Sequence, residues 1–192
     1  MPAPDLVLAS TSPRRLELLA RLGITPARLA APDIDETPGK GELPRAYVLR
    51  LAEAKARAIP RAANEIILAG DTTVAVGRRI LEKPVDEADL RRMLALLSGR
   101  RHNCISAVSV IDRDGRARTR AVSTVVAFKR LSDSEVDWYV ASGEGMGKAG
   151  GYAIQGRAES FVRFLSGSHS AVVGLPVYET RTLLIASGLA LG

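Results

Sequence analysis

The sequence predicts a single α/β domain over residues 1–192, built on a mixed, twisted sheet with flanking helices. Three features carry that expectation. Short wholly apolar runs such as Leu6-Val7-Leu8-Ala9 and Ile66-Ile67-Leu68-Ala69 read as strands buried on both faces. Longer stretches repeat apolar residues at helical spacing. Two β segments, 102–111 and 117–128, meet at Asp114-Gly115, a strong hairpin signal. Strands and helices mix without strict alternation, so parallel and antiparallel pairings are expected together.

In chain order, the 6–9 strand leads to Ser10-Thr11-Ser12-Pro13, where Ser12 suits a helix cap and Pro13 the first helical position. Leu16, Leu19 and Leu22 then share one face, and Gly23 stops the helix. A strand is expected over 25–31, followed by the polar loop Asp33-Ile34-Asp35-Glu36-Thr37-Pro38. A second helix opens near Pro44, with Val48, Leu51, Lys55 and Ala58 along one stripe, which puts Lys55 on an apolar face. The strand at 66–69 is interrupted at Gly70-Asp71-Thr72-Thr73 and resumes at 74–76. Gly77-Arg78-Arg79 turns into Ile80-Leu81-Glu82-Lys83-Pro84, and a third helix from about Asp86 carries Leu90, Met93, Leu94 and Leu97. After the hairpin, Ser132 and Glu135 form a capping-box pattern for a helix ending by Gly143. A glycine-rich loop fills 143–151, strands are expected near 161–165 and 171–173, and Leu175-Pro176 opens a last helix.

Composition narrows the function classes. With 46% hydrophobic residues in 192, the chain can bury a sizeable core. No basic segment followed by an apolar stretch opens the chain and no run is long enough to span a bilayer, so a cytoplasmic protein without membrane attachment is expected. Cys104 is the one cysteine, which leaves no disulfide framework. The net charge of +6 suits phosphorylated partners, but aromatics are only 4% and the arginines are scattered, so no specific nucleic-acid binding is expected. Of 27 basic residues only Lys40, Lys55, Lys83, Lys129 and Lys148 are lysine, so each is a candidate point charge for one phosphate oxygen.

The residues that could carry chemistry fall in four places. Ser10, Ser12, Arg14 and Arg15 surround the first helix N-terminus, where unpaired N–H groups attract phosphate; a capped helix with surface arginines is the ordinary alternative. Because they are adjacent, Arg14 and Arg15 diverge around the helix, and at most one is expected to point into the serine pocket. Asp71, directly after a buried strand, can bind a hard cation or orient water, and Glu36 offers a second oxygen ligand for the same metal. A covalent phosphatase nucleophile at Asp71 is the weaker alternative, because Thr73 stands where a second aspartate would be. Lys55, Lys83 and Lys148 can each meet a phosphate, although snorkelling or plain exposure would explain any one alone. Zinc is disfavoured, since His102, His169 and Cys104 lack ligand spacing.

Read together, Ala9-Ser10-Thr11-Ser12-Pro13-Arg14-Arg15, Ala54-Lys55-Ala56, Ala69-Gly70-Asp71-Thr72, Leu81-Glu82-Lys83-Pro84, Lys148-Ala149-Gly150, Ile154-Gln155-Gly156 and Val173-Gly174-Leu175-Pro176 strongly resemble the Maf, or septum-formation, family over nearly the whole chain. The resemblance implies two lobes around a central cleft, an architecture similar to the inosine triphosphate pyrophosphatases, and hydrolysis of a nucleoside triphosphate substrate between the α and β phosphates. It implies Asp71 as proton acceptor, Arg14, Thr72 and Gln155 at positions of substrate selection, and Glu36 with the lysines in a metal and phosphate environment. The divalent cation would be magnesium, with manganese or cobalt as alternatives. Thr72 with Gln155 looks like the branch acting on dTTP and UTP, whereas the 7-methyl-GTP branch has glutamine in place of that threonine. The family name also suggests a rival role as a nucleotide- or nucleic-acid-binding regulator of division; assembly as a homodimer is left open. Three departures stand out: Gly147 where an aspartate is usual, Gly145 for a common proline, and Ala153 for a usual glycine.

Overall fold

The computed structural model describes residues 3–191. Its elements in chain order are β1 (Asp5–Leu8), α1 (Pro13–Ala20), β2 (Arg28–Leu29), α2 (Pro44–Arg57), β3 (Glu65–Val76), β4 (Arg79–Leu81), α3 (Glu87–Leu97), β5 (Arg101–Ile111), β6 (Ala117–Phe128), α4 (Asp133–Val140), β7 (Val162–Ser166), α5 (His169–Val173) and α6 (Val177–Ala186), with short 3-10 turns at Ala149–Gly151 and Arg157–Phe161. The sheet runs β2-β1-β3-β5-β6-β7, and β4 pairs with β3 outside that path. The first three strands are parallel and the remaining pairings antiparallel, so the mixed α/β sheet expected from the sequence is the one observed.

The period-two rule for strands sorts the core. Leu6, Leu8, Ile66, Leu68, Val74, Val108 and Val110 face one side, joining Leu18, Leu19, Leu90, Leu94 and Leu184 from the helices. Val7, Ala9, Ile67, Ala69, Ile105 and Ala107 face the other, where Val48, Ala52 and Ala56 of α2 cover them. Both faces of β1 and β3 are thus buried, which is why these strands read as unbroken apolar runs.

One sheet edge positions the site. β5 pairs with β3 from Ile67 to Ala75, but on the opposite edge β1 covers only Glu65 to Leu68 and β4 only Val74 to Val76. Residues 69–73 of β3 therefore have no strand neighbour on that side, and the chain leaving β1 at Ala9 turns away there into α1. A gap at the carboxyl ends of parallel strands, bordered by a helix N-terminus, is where α/β sheets bind ligands.

Five sequence expectations are corrected. The break at residues 70–73 does not exist: Gly70, Asp71, Thr72 and Thr73 pair in register with Val108, Ala107, Ser106 and Ile105. Two β-branched threonines favour the strand, and Gly70 provides space, since a Cβ there would lie 3.2 Å from the Ala107 carbonyl oxygen and 3.3 Å from Arg15 Nε. The strand expected over 25–31 shrinks to Arg28–Leu29, because β1 offers it only Val7 and Leu8. Residues 171–173 lie in helix α5 rather than a strand, because the Ser168 hydroxyl accepts from the Ala171 N–H at 3.2 Å and nucleates a turn. Ser12 takes the N-cap position of α1 but makes no side-chain cap bond, and α1 ends at Ala20, short of Gly23.

The loop bearing Lys148 is held from two sides. The Gly150 N–H donates to the Glu82 carbonyl at 3.0 Å, tying it to the Lys83 segment. Tyr152 packs edge-on to Phe128 and His102, with its hydroxyl 2.9 Å from His102 Nε2. Gly145 sits in a spot that admits no Cβ: one would lie 2.6 Å from the Gly151 carbonyl oxygen. Gly147 and Gly150 both have φ of +69°, but a Cβ at Gly147 meets open space whereas one at Gly150 would lie 2.7 Å from Val74 Cβ. Gly147→Ala should cost about 1–2 kcal/mol from backbone conformation alone, and Gly150→Ala roughly 2–5 kcal/mol because packing strain adds. Urea denaturation of the two variants tests this; equal midpoints would show that Val74 does not confine the loop.

Candidate active site

The gap opens into a cleft of about 790 Å³ whose lining includes Ser10, Ser12, Arg14, Arg15, Glu36, Lys55, Asp71, Thr72, Lys83, Lys148 and Gln155; of the five lysines raised by composition, Lys40 and Lys129 lie outside it, and Lys129 pairs with Glu135 instead. The β1–α1 turn, the 31–36 loop and α2 form one side; Lys83 and residues 147–155 form the other.

At its floor lies a buried charge cluster. Asp71 follows Ile67 and Ala69 on the α2 side of β3, and Lys55 reaches it from the apolar stripe of α2. Lys55 Nζ is 2.7 Å from Asp71 Oδ1 and 2.8 Å from Glu36 Oε1. With Lys55 only 7% exposed and Asp71 only 6%, neither charge could stay there unpaired at small cost. Glu36 is more open, its side chain 43% exposed, and its second oxygen lies 3.9 Å from Lys83 Nζ. Burial alone would raise the Glu36 carboxyl, but the Lys55 hydrogen bond and charge, helped by Lys83 and Arg15, outweigh it and hold it below the ordinary value. The Tyr47 hydroxyl donates to the Glu36 carbonyl at 2.9 Å and fixes the loop; burial first, then the nearby carboxylates, push that phenol up to about 12.

The rim is cationic. Arg15 donates from Nε to the Gly174 carbonyl at 2.9 Å and from a terminal nitrogen to Ser10 Oγ at 3.0 Å. Ser10 Oγ also accepts the Ser12 N–H at 3.2 Å, so its own proton is left for another acceptor. Arg14 Nε is buried without a partner. The sequence allowed only one of these arginines into the serine pocket: Arg15 takes the serine contact, while Arg14 lines the cleft as well. Burial lowers the pKa of Arg14, of Arg15 and of Lys148, and like charge adds to it, from Arg14 at Arg15 and from Arg14 and Lys83 at Lys148. These buried cations have given up part of their hydration, so an entering polyanion would stabilise their charged forms.

Glu36 and Asp71 each engage Lys55 through one oxygen, which leaves each a second oxygen for a hard cation. Among the described residues no group of three His, Cys, Asp or Glu side chains stands ready for a metal. Two carboxylates fit magnesium, which commonly takes its remaining ligands from substrate phosphates and water.

Sequence reasoning missed Tyr47, Glu82, Ser106 and Gly174. Tyr47 was within reach, since it precedes Lys55 by eight residues and so shares its helix face. Ser106 was not, because its role depends on the β3–β5 register: it stands opposite Thr72, with the hydroxyl oxygens 2.7 Å apart.

The fold and the cleft define a class: an α/β protein with a cation-rimmed, carboxylate-floored cleft at the carboxyl ends of parallel strands. Within it the chain belongs to the Maf-like protein family, whose pattern matches residues 5–187. The dTTP/UTP pyrophosphatase of Sphingopyxis alaskensis is 74% identical over 189 residues, covering 98% of this chain and 100% of that protein. Those of Novosphingobium aromaticivorans and Caulobacter vibrioides are 62% and 58% identical, covering 97% and 96% of this chain and 93% and 96% of their own. Among solved structures, a HAM1 protein from Coxiella burnetii superposes with a TM-score of 0.45 at 16% identity, over 67% of this chain and 74% of that one. A nucleoside-triphosphatase, dITP/XTP pyrophosphatase, from Mycobacterium abscessus gives 0.40 at 18%, over 66% and 75%.

Lys55→Met should cost about 3–5 kcal/mol at neutral pH, since it strands the Asp71 carboxylate in a buried site. The folded-state Glu36 carboxyl is depressed, so its pairing stabilises above the unfolded Glu value of about 4.3 and that stability is lost as pH falls through the folded value. The Glu36 share of the gap between wild type and variant should therefore shrink on acidification below about pH 4.3. Denaturation midpoints across pH check this; a constant gap would remove Lys55 from its carboxylate-pairing role.

Proposed function

We propose that this protein hydrolyses dTTP and UTP between the α and β phosphates, releasing the nucleoside monophosphate and pyrophosphate. The observation that carries the reading is the buried Lys55–Asp71 pair at the floor of a cleft rimmed by Arg14, Arg15, Lys83 and Lys148. Support for the substrate comes from the three relatives above, each named for that activity.

The chain's own groups can perform the reaction. Arg14, Lys83 and Lys148 offset the triphosphate charge, and Ser10 has a hydroxyl proton to donate to a phosphate oxygen. Lys55 holds Asp71 by Oδ1, which leaves Oδ2 with one lone pair for the cation and one to accept a proton from water as that water attacks the α phosphorus. Pyrophosphate leaves towards the rim cations. Glu36 and Asp71 would hold the divalent cation, magnesium foremost with manganese or cobalt as alternatives, whose chemistry is polarisation of a phosphoryl oxygen. Thr72 and Gln155 face the same cleft and would read the base, and the setting would be the cytoplasmic nucleotide pool.

Incubation with a triphosphate panel and each metal, followed by chromatography, should yield monophosphate and pyrophosphate, fastest with dTTP or UTP. Diphosphate with orthophosphate would overturn the reaction class. Asp71→Asn should lower turnover by roughly two or more orders of magnitude. It should remain folded, because Lys55 keeps Glu36 as partner. Full activity in that folded variant would exclude Asp71 as base.

A further inference from the structure

We propose that Ser106 sets the hydrogen-bonding polarity of Thr72, presenting Thr72 to the cleft as an acceptor only, so that the site selects a base with a ring N–H, uracil or thymine, over cytosine. The inference rests on the dTTP and UTP reading above and adds to it a positioning residue with no direct contact to the substrate.

The polarity follows from counting protons. Ser106 is fully buried, and its hydroxyl donates to the Ala171 carbonyl in α5. That carbonyl needs the donor: in a regular helix the Leu175 N–H would serve it, but Leu175 N–H goes to Ser170, whose oxygen accepts from both Gly174 and Leu175 at 3.0 Å. A carbonyl can only accept, and a serine hydroxyl has one proton, so Ser106 has none left for Thr72. At the 2.7 Å contact between Thr72 Oγ1 and Ser106 Oγ, Thr72 must therefore be the donor. Its proton points into the sheet, and only lone pairs remain for the cleft, which Thr72 lines while partly exposed.

A fixed acceptor discriminates by what faces it. Uracil and thymine carry a hydrogen on N3; cytosine has a lone pair there, and two acceptors face to face leave both unsatisfied. A freely rotating threonine hydroxyl could turn its proton towards cytosine and accept either base. The β3–β5 register, which sets Thr72 opposite Ser106, and the seat of α5 on the sheet together remove that freedom.

The test separates binding from turnover. Calorimetric titration with α,β-methylene analogues should show the wild type favouring the UTP analogue over the CTP analogue by roughly tenfold or more, the scale of one well-placed polar contact. Ser106→Ala frees the Thr72 proton and should shrink that preference several-fold, chiefly through tighter binding of the CTP analogue. Thr72→Val should remove the preference, and adding Ser106→Ala to it should change the ratio no further; a merely structural role for Ser106 would lower both affinities alike. If Ser106→Ala does not fold, wild-type binding of an N3-methyluridine analogue decides, with a loss of roughly tenfold or more expected. An unchanged ratio in Ser106→Ala, or full binding of the N3-methyl analogue, overturns the proposal. Absence of pyrophosphate from UTP in a parallel assay would instead refute the hydrolytic reading and leave the binding ratios to judge the relay.

Discussion

The ammonium of Lys55, buried in contact with Asp71 and Glu36, constrains much of the rest of the molecule. A lysine cannot be kept charged on an apolar helix stripe unless a carboxylate meets it, and Asp71 cannot sit on a both-sides-buried strand unless a cation meets it. The pairing links α2, the continuous strand β3 and the loop carrying Glu36, three segments distant in sequence, at one point. Tyr47, on the same face of α2, then clamps the Glu36 backbone. The gap in the β3 edge puts this buried pair at the floor of the cleft, where the proposed reaction needs it.

The surrounding charges follow the opposite logic. Around the rim the cations outnumber the carboxylates within reach, and burial lowers the pKa values of Arg14, Arg15 and Lys148, with like charge adding to it at Arg15 and Lys148. Such a field is unfavourable in the empty cleft and favourable once a polyphosphate enters.

Much of this was legible in the residues and some was not. Strands β1 and β3 and helices α2 and α3 follow from apolar periodicity, and Lys55 betrayed itself by lying on an apolar stripe. Ser10, Arg14 and Arg15 were suggested by a helix start that satisfies few of its own N–H groups. The sequence misled where tertiary pairing overrode local signals: Gly70 suggested a break, yet it admits Arg15 beside an unbroken strand. Val172 and Val173 suggested β structure, yet Ser168 caps them into a helix. Ser106 gave no signal, because a serine in the middle of a strand gains its meaning only from the register that sets it against Thr72 and from the helix that takes its proton.

In the proposed reaction, water activated at Asp71 attacks the α phosphorus. Hydrolysis of UTP in ¹⁸O-labelled water with mass analysis of both products tests it most directly. Attack at the α phosphorus places one labelled oxygen in the monophosphate and none in the pyrophosphate. Label in the pyrophosphate would mean attack at the β phosphorus, and would contradict the mechanism drawn from Lys55 and Asp71.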